Sequence, residues 1–277
     1  MMRFLSFISY QLRWQLLRKR WLLPIPLLLF LAYRGFNYLT QPGVAGPMQP
    51  TNAWDLLFLT FGNRFNIYFA IGLLYLYLVC DLLPEPNLGQ LVLLRLRSRK
   101  TWWIGKTLTL LLLTLIYVLG SVAVLFGLAR LALPWQSGYS QQAQFMPDSV
   151  NLPMNFFRGI QPPSPLAFLS QELALLTIGM FVFGLVMLVI NQLTKHYYFG
   201  LLAGCLVLFS SLVSIELSGP PPWAAWLPGY HLTYLAMIPV RIIPLGYSFL
   251  YWAIWIMAFW LVGFVISRRQ DHLSSQG

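Results

Sequence analysis

Acidic residues are scarce in this chain: 7 Asp and Glu stand against 18 Lys and Arg in 277 residues. Charged residues of both signs make up only 9%. A soluble domain carries roughly 25%, so an ordinary water-facing surface is excluded. The acids are Asp55, Asp81, Glu85, Asp148, Glu172, Glu216 and Asp271. None pairs with another in sequence as a general acid/base dyad, and too few fall within apolar runs to build a proton relay. Histidine is limited to His196, His231 and His272, and cysteine to Cys80 and Cys205. Without H-E-x-x-H or paired cysteines the usual metal frameworks are missing. The two cysteines lie in apolar runs and read as small buried residues, not as a disulfide. There is no G-x-S-x-G. Ile104-Gly105-Lys106-Thr107 matches only the tail of a phosphate-binding P-loop, since Lys100 stands where the pattern needs its first glycine. The chain therefore reads as no enzyme, with no cofactor bound directly.

What is abundant is apolar: 58% of the residues are hydrophobic and the mean hydropathy is +0.67. This composition predicts an all-α integral membrane protein. The net charge of +11 does not indicate nucleic acid, because the basic residues cluster beside apolar segments. Six segments are long enough to cross: residues 21–39, 65–83, 107–133, 171–191, 197–217 and 247–267. Placing the N-terminus inside leaves 13 of the 18 basic residues on the cytoplasmic side, against Arg34, Arg64, Arg130, Arg158 and Arg241 outside. That bias orients both termini to the cytoplasm. The densest cationic run, Arg95 to Lys106, leads through Trp102-Trp103 into the third span.

Residues 1–20 read as an amphipathic interfacial helix, with Leu5, Ile8, Leu12 and Leu16 at helical spacing and Arg13, Arg18, Lys19 and Arg20 facing anionic headgroups. No small-residue cleavage site follows, so the first apolar run is expected to be a retained anchor. Pro24 and Pro26 fall in the first turns of span one, where a missing N–H is tolerated. Spans four and five form a tight hairpin around Lys195-His196, and Gly200 and Gly204 in the latter predict close helix packing. The outer stretches 40–64 and 134–170 are Pro-rich and read as structured loops or short caps. Before span six, Pro220-Pro221-Pro222 and Pro228-Gly229 break an apolar stretch into a re-entrant segment. Charges near the interior of spans are expensive. Arg34 and Glu216, with Tyr230, are accordingly candidates for a polar path, and Asp81 at the inner end of span two is expected to meet loop groups or water.

Taken over nearly its whole length, this layout resembles the permease subunit of an ABC transporter of the ABC-2 exporter type. The loop of residues 84–106 carries the most specific likeness. Its Glu85 and Gly89, then Ser98-Arg99, Trp103 and Lys106, are similar to that family's acidic–glycine–(Ser-Arg)–aromatic–Lys succession. Trp226-Leu227-Pro228 and Tyr230 resemble its outer re-entrant hairpin. The resemblance implies that residues 84–106, including Arg95 and Arg97, form a coupling loop docked on a separate cytosolic ATPase, itself a dimer, which holds ATP and Mg. It also implies a second permease copy or related permease, and export of an amphipathic peptide, antibiotic or lipid-like molecule from a bacterial cell. The single transmembrane domain would then be 21–270, with 271–277 a cytoplasmic tail. A non-transporting membrane scaffold or sensor would use the same loop to bind a cytosolic partner.

Overall fold

The computed structural model describes residues 2–40, 51–63, 65–83, 98–140, 164–215, 223, 226–232 and 244–269. Among these, every regular element is helical. Helix α1 (Met2–Leu16) runs to a short 3₁₀ turn, Lys19–Leu22, and α2 (Pro24–Thr40) begins on a proline, as its missing N–H allows. The buried face of α1 is Phe7, Ile8, Gln11 and Gln15. Leu5 is exposed, as are Tyr10 and Trp14. Tyr10 and Trp14 stack on one flank of the buried face, with ring centroids 6.5 Å apart, and Leu5 lies on the other flank.

A short helix, α3 (Ala53–Phe61), follows, and all nine of its residues are buried. Its start is set by Asn52, whose side chain accepts the Trp54 N–H at 3.0 Å, while Asp55 accepts the Asn52 N–H at 2.7 Å. This reciprocal cap satisfies two otherwise orphaned donors. Helix α4 (Asn66–Leu82) lies at 86° to α3, so the two are not one straight span, and α3 sits as a cap at the end of the bundle. The segment expected to span over 65–83 forms one irregular helix. Residues Asn66–Gly72 are π-helical, Leu73–Val79 are α-helical, and Cys80–Leu82 tighten to 3₁₀. Within the wider turns the Ile71 carbonyl accepts the Tyr117 hydroxyl of a neighbouring helix at 2.8 Å.

Helix α5 (Arg99–Ala132) has 34 residues, about 50 Å at 1.5 Å per residue. Its length exceeds the ~30 Å hydrocarbon layer, so part of the helix extends beyond that layer. Helix α6 (Pro165–Thr194) is the most enclosed of the long helices and packs against α7 (Tyr197–Ile215), α9 (Leu245–Arg269) and α5. The α6–α7 hairpin turns at Lys195, whose φ of 61° is left-handed. Gly200 and Gly204 lie against α6, where a side chain would run into Asn191 and Met187, so the G-x-x-x-G packs within the chain. Helix α8 (Gly229–Leu232) is a single buried turn in the segment expected to be re-entrant. The His231 carbonyl accepts the Trp252 indole N–H at 2.7 Å, which ties α8 to α9.

Among the described residues, four helices are long and apolar enough to cross a membrane: Lys19–Thr40, Arg99–Ala132, Pro165–Thr194 and Leu245–Arg269. Beyond these, the six-span expectation rests on the bent α3–α4 pair and on the shorter apolar stretch Tyr197–Ser210 of α7.

Candidate functional site

Of the residues singled out from the sequence, Asp81, Ser98, Arg99, Trp103 and Lys106 lie at one end of the bundle, where α4 stops and α5 starts. Asp81 stands at the break of α4, with φ −101° and ψ 19°. Both Arg18 and Arg20 form ion pairs with its carboxylate. Arg20 also donates to the Gln15 side-chain oxygen at 2.8 Å and lies over the Tyr77 ring, and Arg18 lies over Trp14. The link that follows α1 is thereby fastened to the end of α4. One residue on, the Leu82 carbonyl accepts the Lys106 ammonium at 3.0 Å. The carboxamide of Asn191 donates to the carbonyls of Cys80 at 2.8 Å and Leu83 at 3.0 Å, so α6 caps the frayed end of α4. These carbonyls would otherwise be buried without donors.

The start of α5 is equally tied down. Ser98 caps it, accepting the Thr101 N–H at 3.4 Å. Arg99 donates to the Arg268 carbonyl at 2.9 Å, joining α5 to the end of α9. Trp103 is fully buried, donates its indole N–H to the Trp260 carbonyl at 3.1 Å, and covers Gly263, where any Cβ would overlap the ring. Gly105 is crossed by the rings of Phe4 and Phe7 from α1.

This arrangement corrects the reading of 84–106 as one loop. Residues 99–106 are the first turns of α5, and Trp103 and Lys106, at 0% and 1% exposure, are internal. Neither is presented to a partner. Glu85, Gly89, Arg95 and Arg97 lie outside the described residues, as does Glu216. Arg34 is on the exposed side of α2. Tyr230 is buried in α8, which packs on α6, α7 and α9, whereas α2 packs on α3 and α5. Tyr68, Tyr75 and Trp252 are buried between helices, while Phe69, Tyr77 and Trp255 face outward. Those aromatic rings therefore divide between helix packing and the exposed face.

A family profile described as protein of unknown function (DUF2705) matches residues 21–273. The chain belongs to that family. No curated protein matches it. The matched range takes in Asp81, Lys106 and Asn191 and leaves out α1 with Arg18 and Arg20. Within the family's span, then, lie the receiving groups of this junction, and the two arginines that engage Asp81 come from the segment before it.

Sequence reasoning named Ser98, Arg99, Trp103 and Lys106 and expected Asp81 to meet loop groups or water, but missed Arg18 and Arg20 as its partners, and Asn191. A signal for Asp81 and Asn191 was present. Asp81 is one of only seven acids, and Asn191 is a polar side chain closing an otherwise apolar run. Chemically the junction holds a buried thiol, Cys80, which donates to the Tyr77 carbonyl at 3.2 Å. It offers a stiff base bearing exposed cations, namely Arg13, Lys19, Lys100, Lys195, Arg268 and Arg269. Among the described residues no three His, Cys, Asp or Glu side chains come together as a metal site.

Proposed function

We propose that this chain is the membrane-spanning permease subunit of an ATP-driven exporter of the ABC-2 type. The observation that supports the reading best is the fastening of both stems of the 84–97 stretch. One stem is held through Asp81, Leu82 and Leu83, the other through Arg99, Trp103 and Lys106. A push delivered to residues between such stems is passed to the ends of α4 and α5 rather than absorbed locally. The proposed source of the push is a dimer of cytosolic ATPase subunits that holds ATP and Mg and docks on the basic stretch through Arg95, Arg97 and Lys100. Two permease subunits would enclose the path, with both termini cytoplasmic in a bacterial cell membrane. The cargo class is an amphipathic peptide, antibiotic or lipid-like molecule, on the strength of the resemblance in the 84–106 stretch and the outer segment around Trp226 and Tyr230.

The test is purification from the native host in mild detergent, with and without cross-linking, followed by identification of co-purifying proteins. The expected result is a P-loop ATPase that is lost when Arg95, Arg97 and Lys100 are all replaced by Glu. These positions are chosen over Trp103 and Lys106, whose burial makes a fold defect the first effect of substitution. An absence of any ATPase, even after cross-linking, overturns the exporter reading. A non-ATPase cytosolic protein bound at the same stretch would establish the scaffold or sensor reading in its place.

A further inference from the structure

At the opposite end of α5, residues 134–140 fold back as a strap across α3. The Ala53 N–H donates to the Pro134 carbonyl at 3.1 Å, the Trp54 indole N–H to Gln136 O at 3.0 Å, and the Asn52 carboxamide to Gly138 O at 3.0 Å. Rings of Trp54 and Trp135 pack with centroids 4.9 Å apart. These contacts use neutral groups and are indifferent to pH. The last contact is different: the Ser140 hydroxyl meets Asp55 Oδ1 at 2.8 Å, and the carboxyl and hydroxyl residues are both fully buried.

We propose that Asp55 and Ser140 form a proton-controlled clasp that draws the strap onto α3 as the pH falls. No salt bridge reaches Asp55 among the described residues. The ionisable groups carried nearby on the elements around α3 are Arg34 and Tyr38 of α2, Tyr68 of α4, Arg130 of α5, Glu172 of α6 and Tyr139 of the strap itself. None of them sets the ionisation of Asp55, which is governed by burial, opposed only by the hydrogen bonds from Asn52 and Ser140. Burial prevails and pushes the carboxyl up to about 6. Both hydrogen bonds survive protonation. Oδ2 continues to accept from Asn52, and a protonated Oδ1 donates to Ser140, since a hydroxyl serves equally as donor or acceptor.

The direction of the switch follows from this. The closed strap holds the proton more tightly than an open one, in which Asp55 would regain an ordinary carboxylate value near 4. Closure is therefore favoured most when Asp55 is protonated, and the advantage is lost as the pH rises through about 6. Between pH 7.5 and pH 5 the closed state gains about tenfold over the open one.

Hydrogen–deuterium exchange of the full chain in nanodiscs tests this, with rates converted to protection factors between pH 5 and pH 8. The Ala53 amide, which donates to the strap, is the reporter. Its protection is expected to rise about tenfold from pH 7.5 to pH 5. Asp55→Asn, which mimics the protonated acid, is expected to hold the high value at every pH. Ser140→Ala removes a donor that favours the carboxylate and is expected to move the midpoint upward. A flat wild-type profile overturns the proposal, as does an Asp55→Asn variant that keeps the wild-type pH response. Should Asp55→Asn not fold, Ser140→Ala decides, and an unmoved midpoint overturns it.

Discussion

Lys106 and Lys100 are six residues apart on one helix and have opposite surroundings. The Lys106 ammonium is 1% exposed, bonded to the Leu82 carbonyl and set 5.9 Å from the Trp102 ring, whereas Lys100 faces outward. An ionised group is tolerated in such a place only with its partners in position. Replacing Lys106 by Glu sets a carboxylate against a carbonyl and is expected to cost about 3 kcal/mol or more. The volume-matched Lys106→Met leaves Leu82 O without its donor, at about 1–3 kcal/mol. Lys100→Glu should change stability by no more than about 0.5 kcal/mol. Thermal unfolding in detergent ranks the three, and a Lys106→Glu protein as stable as Lys100→Glu would show the cation to be dispensable. The sequence does not distinguish these two lysines. Both stand in one basic run, and which of them turns inward is decided by where α4 ends, a fact of tertiary packing.

For whole elements, the sequence carried more than was read from it. The start of α5 at Arg99 was announced by Ser98, and that of α6 by Ser164-Pro165, each a capping residue before the first turn. Charge at 99–106 and proline at 162–165 drew the expected boundaries inward, to 107 and 171. The π-helical stretch of α4 had no comparable signal, and its Ile71 carbonyl is met by Tyr117 from another helix. Helix α1 was legible as amphipathic, but not its docking, which rests on Asp81 sixty residues away in the chain. That dependence gives a direct test. Asp81→Asn leaves two guanidiniums, 29% and 14% exposed, without their counter-ion. An Ile8→Cys reporter on the packed face of α1, in a Cys205→Ser background, is then expected to react with a maleimide about tenfold faster, a loosening of roughly 1.4 kcal/mol. Unchanged labelling would mean that the Phe4 and Phe7 contacts at Gly105 suffice to seat α1.

On the scale of the whole molecule, a group of charged side chains stands at the other end of α5 from the Asn52–Asp55 and 134–140 assembly, where Arg130 lies over Trp135. Ion pairs and hydrogen bonds gather Arg18, Arg20, Asp81, Arg99, Lys106 and Arg268 at one end. Counting basic residues assigns this group, as an expectation, to the cytoplasmic side. In sealed vesicles of known orientation, cysteines at Lys100 and Arg268 are expected to react with an impermeant maleimide from one face, and a cysteine at Ser137 from the other. Labelling of all three from the same face would refute the predicted sidedness.

Helix α5 touches both of these ends. Its first turns lie among α1, α4 and α9, and its last residue leads into the strap over α3. A rod of about 50 Å turned by about 5° around its midpoint carries each tip roughly 2 Å sideways, more than a hydrogen bond of 2.8 Å can follow without breaking. The helix is thus a see-saw beam: tilting it at Arg99 would loosen Ser140 from Asp55, and clamping Ser140 would resist the tilt.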